Sequence, residues 1–326
     1  MSDSTVSLVI RCFNEEAHLG RLLRGVARQT RRPDQIVIVD SGSTDSTLEI
    51  AAAFDTEIHH VDPARFSFGR SLNIGCRASK GDLIVIASAH VYPLYDSWLA
   101  ELTAPFDDRE VVLSYGRQEG GSDTRYSEKR VMARWFPPTS AARQDHPFCN
   151  NANAAVRRSA WEQQPYDEEL TGLEDLDWAK RQMDAGRAIA YVATAPVVHA
   201  HDETWSQLVN RYRREAIGHK RIFHERGMSG FEAMRLAAGN VASDYVHATR
   251  EGELLSNIGA IPSFRIAQFW GTYLGFRHRG DASAALRRRF YYPHGWRRQP
   301  TSEQPHGAQR IDYEDRDHRG VDVRAD

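Results

Sequence analysis

The sequence has few cysteines, no long apolar segment and almost no net charge. Cys12, Cys76 and Cys149 lie far apart without metal-type spacing, which indicates a reducing compartment. No run approaches the roughly 20 apolar residues of a membrane-spanning helix. The first residues also lack the basic and apolar regions of a signal peptide. With a formal net charge of −2, nucleic acid is not expected as the main partner. These absences predict a soluble or peripheral cytoplasmic protein.

Apolar runs alternate with amphipathic segments over the first two-thirds of the chain. This alternation predicts a mainly parallel α/β sheet flanked by helices. The predicted strands are 7–14, 35–40, 57–61, 83–87, 111–115, 151–156 and 189–198. The predicted helices are 15–29, 46–54, one opening at Phe68, 98–106 and 174–185. Residues 119–147 are rich in charge, Gly and Pro and are predicted to be a long loop or lid.

The alternation stops near Trp205, after which helical patterns dominate. We therefore expect a catalytic α/β domain over residues 1–204 and a C-terminal helical appendage over 205–298. Residues 299–326 are polar and charged, which predicts a disordered tail.

The run from Gln35 to Thr47 is the most informative segment. Four apolar residues end at the carboxylate Asp40, and the small turn-forming residues Ser-Gly-Ser-Thr follow it. This pattern predicts a buried strand, a tight loop and a helix beginning near Ser46. Ligands of open α/β sheets bind at such carboxyl-end edges.

Four further motifs accompany this phrase in chain order. They are Arg11-Cys-Phe-Asn-Glu-Glu16, Gly69-Arg-Ser-Leu-Asn73, Ser88-Ala-His90 and Gly172-Leu-Glu-Asp-Leu-Asp-Trp-Ala-Lys-Arg181. In this order they resemble the family 2 glycosyltransferases of the GT-A fold, a Rossmann-like architecture. The resemblance implies an enzyme that uses a nucleotide-sugar donor.

The resemblance assigns the donor to the edge formed by the first strands. Phe13 would stack on the base, Glu15 would contact the ribose and Asp40 the base edge, with Arg11 beside them. Core packing is the alternative for Phe13. Arg70 and Asn73, near a helix N-terminus, would lie close to the diphosphate. Ser88 and Ala89 complete the predicted nucleotide-binding residues.

His90 stands where most members of this family have the second carboxylate of Asp-x-Asp, the motif that holds a divalent cation. A neutral imidazole can ligate a metal but supplies no negative charge. One expectation is a retained Mn²⁺ or Mg²⁺ held by His90 with His199 or His201. The alternative is stabilisation of the leaving group without a metal, by Arg70, His90 and other donors.

The last motif is similar to the family's ED motif, which opens a helix below the acceptor. We expect Asp175, or secondarily Glu174, to deprotonate the acceptor hydroxyl, since apolar neighbours raise a carboxyl pKa. The alternative is that these acids merely favour a helix N-terminus. Asn151, Asn153 and Trp178 are the expected acceptor residues. His146 and Arg143 are expected on a loop over the substrate.

Aromatic and arginine residues interleave in the C-terminal third, at 264–276 and 287–298. This pattern suits an anionic membrane surface at the inner face of the cell membrane. The alternative is packing against the catalytic domain or against a second subunit in a homodimer.

The resemblance implies an inverting transferase that moves a sugar from a nucleoside-diphosphate sugar to a saccharide or lipid-linked saccharide. UDP is the expected nucleotide from family frequency alone. Two alternatives stay open: a nucleotidyltransferase, and a catalytically degenerate protein that binds sugar nucleotides or acts as a scaffold. The absence of a Gly-rich loop after the first strand counts against a nucleotidyltransferase.

Overall fold

A computed structural model describes residues 4–62, 65–200, 203–224, 227–278, 305 and 307–313. His201 and the predicted aromatic-arginine segment 287–298 lie outside the described residues.

An eight-stranded mixed sheet forms the centre of the fold, in the order β3-β2-β1-β4-β7-β6-β8-β5. The strands are β1 Val6–Cys12, β2 Gln35–Asp40, β3 Glu57–His60, β4 Leu83–Ser88, β5 Val91–Pro93, β6 Val111–Gly120, β7 Asn153–Arg157 and β8 Ala188–His199. Strands β3, β2, β1 and β4 run parallel, as do β6 and β8, whereas β7 and β5 pair antiparallel with their neighbours. The predicted α/β sheet is thereby confirmed.

Helices cover both faces of the sheet and continue into the C-terminal third. They are α1 Leu19–Ala27, α2 Thr47–Ala52, α3 Phe68–Ala78, α4 Trp98–Thr103, α5 Tyr126–Trp135, α6 Arg158–Gln163, α7 Glu174–Asp184, α8 Trp205–Phe223, α9 Gly230–Glu251, α10 Leu254–Asn257 and α11 Ala260–Arg277. Among the described helices, none is both long and apolar enough to cross a bilayer.

Alternate residues of the central strands pack against helices on opposite faces of the sheet. Leu8 and Ile10 of β1 pack with α1 on one face, while Val9 packs with Leu72 of α3 and Trp178 of α7 on the other. Burial on both faces requires strands in which nearly every residue is apolar, and β1, β2 and β4 have this composition.

The predicted loop at 119–147 is wrong in its first half. Strand β6 continues to Gly120, and α5 follows it. Helix α5 contacts the C-terminal helices through polar pairs: Ser127 donates to Asp244 at 2.7 Å, and Glu128 accepts from Arg211 at 2.6 Å. Because Ser127 and Glu128 are buried beside the apolar Tyr126 and Met132, the helix shows little of the apolar periodicity that reveals a helix in sequence.

The predicted disordered tail also needs correction, because residues 307–313 dock beside β5. The Ile311 N–H donates to the Leu94 carbonyl at 3.0 Å, and the Tyr313 hydroxyl donates to the Pro93 carbonyl at 2.6 Å. Arg310 forms a bridge with Tyr95. These contacts are non-local, and polar composition alone could not predict them.

Candidate active site

A cavity of about 720 Å³ opens where the carboxyl ends of β1 and β4 meet the start of α7. Residues of α5, α8 and α11 line its other side, so the C-terminal helices form part of its wall. The cavity brings together eight of the predicted site residues: Arg11, Glu15, Ser88, His90, Asn151, Glu174, Asp175 and His199.

Asp175 is the buried carboxyl of this cavity, with 8% of its surface exposed. Burial, together with the adjacent Glu174 charge, raises the pKa of Asp175 to about 7. Its Oδ2 accepts from the Asn151 backbone N–H at 3.0 Å, and its Oδ1 accepts from the Leu176 N–H at 2.8 Å. The side chain is therefore held in place and can exchange a proton near neutral pH.

The chain turns sharply just before Asp175. Leu173, the N-cap of α7, has φ 62°, a left-handed conformation that is uncommon for leucine. A Cβ atom on Gly172 would lie 3.3 Å from the Arg214 Nε, and one on Gly218 would lie 2.5 Å from the Gly172 carbonyl oxygen. The approach of α8 to this turn thus depends on Gly218, because the atom that its Cβ would meet belongs to the backbone.

Asn151 contributes more than its backbone to the cavity. Its side chain is 2% exposed, and within the described part of the chain neither its Oδ1 nor its Nδ2 has a hydrogen-bond partner. An unsatisfied buried amide costs free energy on the order of 1–3 kcal/mol, so such a group needs an explanation. A ligand hydroxyl beside Asp175 would satisfy both atoms.

Two histidines lie on the β4–β8 side of the cavity. Glu15 contacts the His90 Nδ1 at 2.7 Å, and Gln118 contacts the His199 Nδ1 at 2.7 Å. The two imidazole rings stack, with centroids 5.0 Å apart and planes inclined by 19°. Sequence reasoning missed Gln118, which has no local motif to identify it.

This arrangement does not fit a metal centre. Ring nitrogens ligate a metal along directions that lie in the ring plane, about 2.0–2.1 Å from the ion, and near-parallel stacked rings do not converge on one ion. No group of three or more His, Cys, Asp and Glu side chains that could hold a metal occurs among the described residues. His201, the third predicted ligand, lies outside them.

Asp40 shapes the loop after β2 and does not line the cavity. Its carboxylate accepts from the Gly42 N–H at 2.9 Å and from the Ser43 N–H at 3.1 Å, and it lies 3.3 Å from the His60 Nδ1. Burial opposes its ionisation, but the hydrogen bonds from Ser43 and Gly42 outweigh burial and lower its pKa. Phe13, by contrast, is 57% exposed and packs in no core cluster, so the core alternative for it is wrong.

The predicted diphosphate residues of α3 are engaged elsewhere. Arg70 donates to Glu168 at 2.8 Å and to the Arg65 carbonyl at 2.7 Å. The Asn73 amide donates to the Tyr166 carbonyl at 2.9 Å and to Glu168 at 3.0 Å, and accepts from Trp161 at 3.0 Å. The two residues fasten α3 to the segment after α6, which corrects their predicted placement.

Two predicted acceptor residues and Ala89 are core residues. The Asn153 Nδ2 donates to the Ala195 carbonyl at 2.9 Å, and its Oδ1 accepts from Trp98 at 2.9 Å. Trp178 is fully buried, and Ala89 packs in the core against the other face of the sheet. Neither Arg143, which pairs with Asp108 at 2.6 Å, nor His146 lines the cavity.

The sheet, the flanking helices and the cavity at the strand ends have the architecture of the GT-A fold. Among solved structures, the mannosyltransferase PcManGT from Pyrobaculum calidifontis in complex with GDP-Man and Mn²⁺ aligns with TM-score 0.57 at 17% identity, over 85% of each chain. Glucosyl-3-phosphoglycerate synthase from Mycobacterium tuberculosis, with Mn²⁺, UDP and glucosyl-3-phosphoglycerate, aligns with TM-score 0.52 at 18% identity. That alignment covers 68% of this chain and 80% of the synthase. At these identities the likeness concerns the fold.

Sequence comparison gives a family similarity as well. Residues 7–164, just under half of the chain, match the family described as glycosyl transferase family 2. It is 29% identical over 254 residues to the O-antigen chain rhamnosyltransferase WbaN of Salmonella anatum, covering 70% of this chain and 78% of the relative. It is 25% identical over 249 residues to RfbN of Salmonella typhimurium, also an O-antigen chain rhamnosyltransferase, covering 71% and 79%.

Proposed function

We propose that the protein transfers a sugar from a nucleoside-diphosphate sugar to a hydroxyl of a saccharide or lipid-linked saccharide, with inversion at the anomeric carbon. The observation that carries the proposal is Asp175, a buried carboxyl with a raised pKa that lines the cavity of a family 2 fold. The two O-antigen rhamnosyltransferase relatives favour an acceptor in polysaccharide synthesis. UDP is proposed as the nucleotide on family frequency.

In this mechanism Asp175 accepts the proton of the acceptor hydroxyl while that oxygen attacks the anomeric carbon. The bond between the anomeric carbon and the diphosphate oxygen breaks, and the diphosphate leaves from the opposite side. The backbone N–H groups of Asn151 and Leu176 keep the carboxyl oriented. The open amide of Asn151 supplies a hydrogen bond to the acceptor.

His90 stabilises the negative charge of the departing diphosphate, on the side of the anomeric carbon opposite to the acceptor hydroxyl. Glu15 orients its imidazole through the Nδ1 contact at 2.7 Å, within the same cavity as Asp175. A hydrogen-bond donor held in place before the reaction stabilises developing charge more effectively than a mobile one.

Replacing Asp175, the proposed general base, tests the proposal. Asp175→Asn keeps the size of the side chain and its acceptor oxygen but removes the proton acceptor. We expect transfer to fall about 10²–10⁴-fold, the usual contribution of a general base, with donor binding unchanged. Product formation and calorimetric donor binding provide the measurement.

Asp177→Asn is the matched control, because Asp177 lies on the same helix and pairs with Arg181 at 2.8 Å. Equal loss of donor binding and transfer in Asp175→Asn would contradict the catalytic role. A wild-type protein that binds donor without turnover would support the degenerate alternative. The family match argues against a nucleotidyltransferase.

A divalent cation, Mn²⁺ or Mg²⁺, stays a prediction of the sequence. The solved relatives described above contain Mn²⁺, whereas the described histidines here stack without converging. The stacking favours charge stabilisation by protein donors, so we expect transfer to persist in EDTA. Loss of activity in EDTA that Mn²⁺ restores would overturn this expectation and point to His201 as a further ligand.

A further inference from the structure

Two arginines from distant parts of the chain stack on one phenylalanine in the wall of the cavity. The Arg11 Cζ lies 5.0 Å from the centroid of the Phe68 ring, and the Arg214 Cζ lies 4.7 Å from the same centroid. Arg11 comes from β1, Phe68 begins α3, and Arg214 comes from α8. All three line the cavity, and we call this group the arginine stack.

Neither guanidinium of the arginine stack is fully paired. The Arg11 Nε is buried without a hydrogen-bond partner, and its Nη1 lies 3.9 Å from the nearest Glu174 oxygen, beyond hydrogen-bond distance. Arg214 is an exposed residue, and within the ranges that the structure describes its guanidinium makes no hydrogen bond to the protein. A cation–π contact uses none of the hydrogen-bond acceptors of the protein, so the N–H donors of both guanidinium groups stay available to a ligand.

Other arginines of the same cavity differ in this respect. Arg211 pairs with Glu128 at 2.6 Å and with Glu203 at 2.9 Å. Arg265 donates to both oxygens of Asp244, at 2.7 and 3.1 Å. Arg211 and Arg265 thus have carboxylates within hydrogen-bond distance. Arg11 has one only at 3.9 Å, from Glu174, and Arg214 interacts with Glu215 through charge without a hydrogen bond, so both keep N–H donors for an anion from outside. A planar guanidinium edge matches the two oxygens of a carboxylate or phosphate.

The position of the arginine stack relative to Asp175, the proposed general base, indicates which substrate carries that anion. Arg214 lies against Gly172, and Arg11 lies beside Glu174, so the two guanidinium groups flank the segment that presents Asp175. In an inverting displacement the attacking hydroxyl and the departing diphosphate lie on opposite sides of the anomeric carbon. Cations grouped around the base therefore lie on the side of the acceptor.

We propose that the arginine stack binds an anionic group, a phosphate or a carboxylate, carried by the acceptor near its reactive hydroxyl. This proposal rests on the proposed function, because it takes Asp175 as the base. It makes Arg11 and Arg214 specificity-determining residues and names the acceptor as a negatively charged sugar or sugar phosphate.

Calorimetric binding of three small probes tests the proposal. Glucose 6-phosphate, glucuronate and glucose are titrated into the protein, with and without the tightest-binding nucleoside diphosphate among UDP, GDP and dTDP. We expect at least one anionic probe to bind about tenfold more tightly than glucose, equivalent to about 1.4 kcal/mol. Comparison of the phosphate and carboxylate probes identifies the preferred anion.

Arg214→Gln should remove this preference while leaving affinity for the nucleoside diphosphate unchanged. Arg213→Gln is the matched control, because Arg213 is an exposed arginine of the same helix, as Arg214 is, but does not line the cavity. Arg213→Gln should keep the preference. Thermal unfolding of both variants checks that each is folded.

Three results would overturn the proposal: equal affinity for charged and neutral probes, equal effects of the two variants, or displacement of the anionic probe by the nucleoside diphosphate. The last result would assign the stack to the donor. Failure of every nucleoside diphosphate to bind would instead contradict the proposed function, while the nucleotide-free titrations still measure the anion preference.

Discussion

At the scale of single residues, the environment of Asp175 serves catalysis at a cost to stability. Burial and the Glu174 charge raise its pKa to about 7. A carboxyl whose pKa is higher in the folded state than in the unfolded state weakens folding as pH rises between the two values. The same desolvation that prepares the base therefore lowers the free energy of unfolding at neutral pH.

This linkage predicts opposite pH effects on activity and stability. Transfer should rise with pH until it levels off above about pH 7, because only ionised Asp175 accepts a proton. Relative to that of Asp175→Asn, the melting temperature of the wild type should fall progressively as pH rises from near 4, the unfolded-state pKa of the carboxyl, to about 7. A pH–rate profile without this ascending limb, or a constant difference in melting temperature, would contradict the assignment.

Some site residues could be predicted from sequence and others could not, for identifiable reasons. Asp175 and His90 follow strands and turns in motif order, so local sequence fixes where they lie. Arg70 has equally suitable local sequence, but Glu168, distant in the chain, occupies its guanidinium. Arg214 belongs to no motif, and only the packing of α8 brings it into the cavity.

At the scale of elements, the contact between α8 and the turn before α7 determines the shape of the cavity. Gly218→Ala would place a Cβ atom 2.5 Å from the Gly172 carbonyl oxygen, which is backbone and cannot swing away. We expect destabilisation of about 1–3 kcal/mol, typical of overpacking, and lower transfer because the turn carrying Asp175 shifts.

Gly230→Ala is the matched control, since the nearest atom to a Cβ there is a flexible tyrosine hydroxyl at 3.7 Å. Urea unfolding and transfer rates compare the two variants. Equal behaviour of Gly218→Ala and Gly230→Ala would refute the contact.

The boundaries of helices and strands could be predicted where the local sequence pattern is strong. The bounds of β2 were predicted correctly, because a short apolar run ends at Asp40 and turn residues follow. Helix α5 escaped prediction because two of its four buried residues, Ser127 and Glu128, are polar and interrupt the apolar periodicity. Strand β5, three residues long, has no periodicity to detect.

At the scale of the whole molecule, exposed apolar side chains at one end of the C-terminal helices bear on the membrane surface predicted from the sequence. Phe231 is 74% exposed and Met234 is 64% exposed on α9. Tyr273 of α11 lies close to Gly230, and both the Trp270 ring and the Arg277 guanidinium contact it. Aromatic and basic residues together suit an anionic membrane surface.

Sedimentation with lipid vesicles tests this surface. We expect binding to anionic vesicles and little to neutral ones, and a Phe231→Ser, Met234→Ser double variant should bind several-fold less. Leu255→Ser, at an 87% exposed apolar position on α10, is the control and should bind normally. Equal binding of all variants would remove the claim, and concentration-dependent self-association lost in the double variant would favour a homodimer.

The contact of α8 with the Gly172 turn has a consequence for how such proteins diversify. The predicted division at residue 204 separates two stretches of sequence, yet Arg214 beyond it lines the cavity and Gly218 packs against the turn before Asp175. A chimera joined at that point would take Arg214, and with it the anion preference proposed above, from the parent that supplies the C-terminal helices. That parent would also need a glycine at position 218 to pack against the turn.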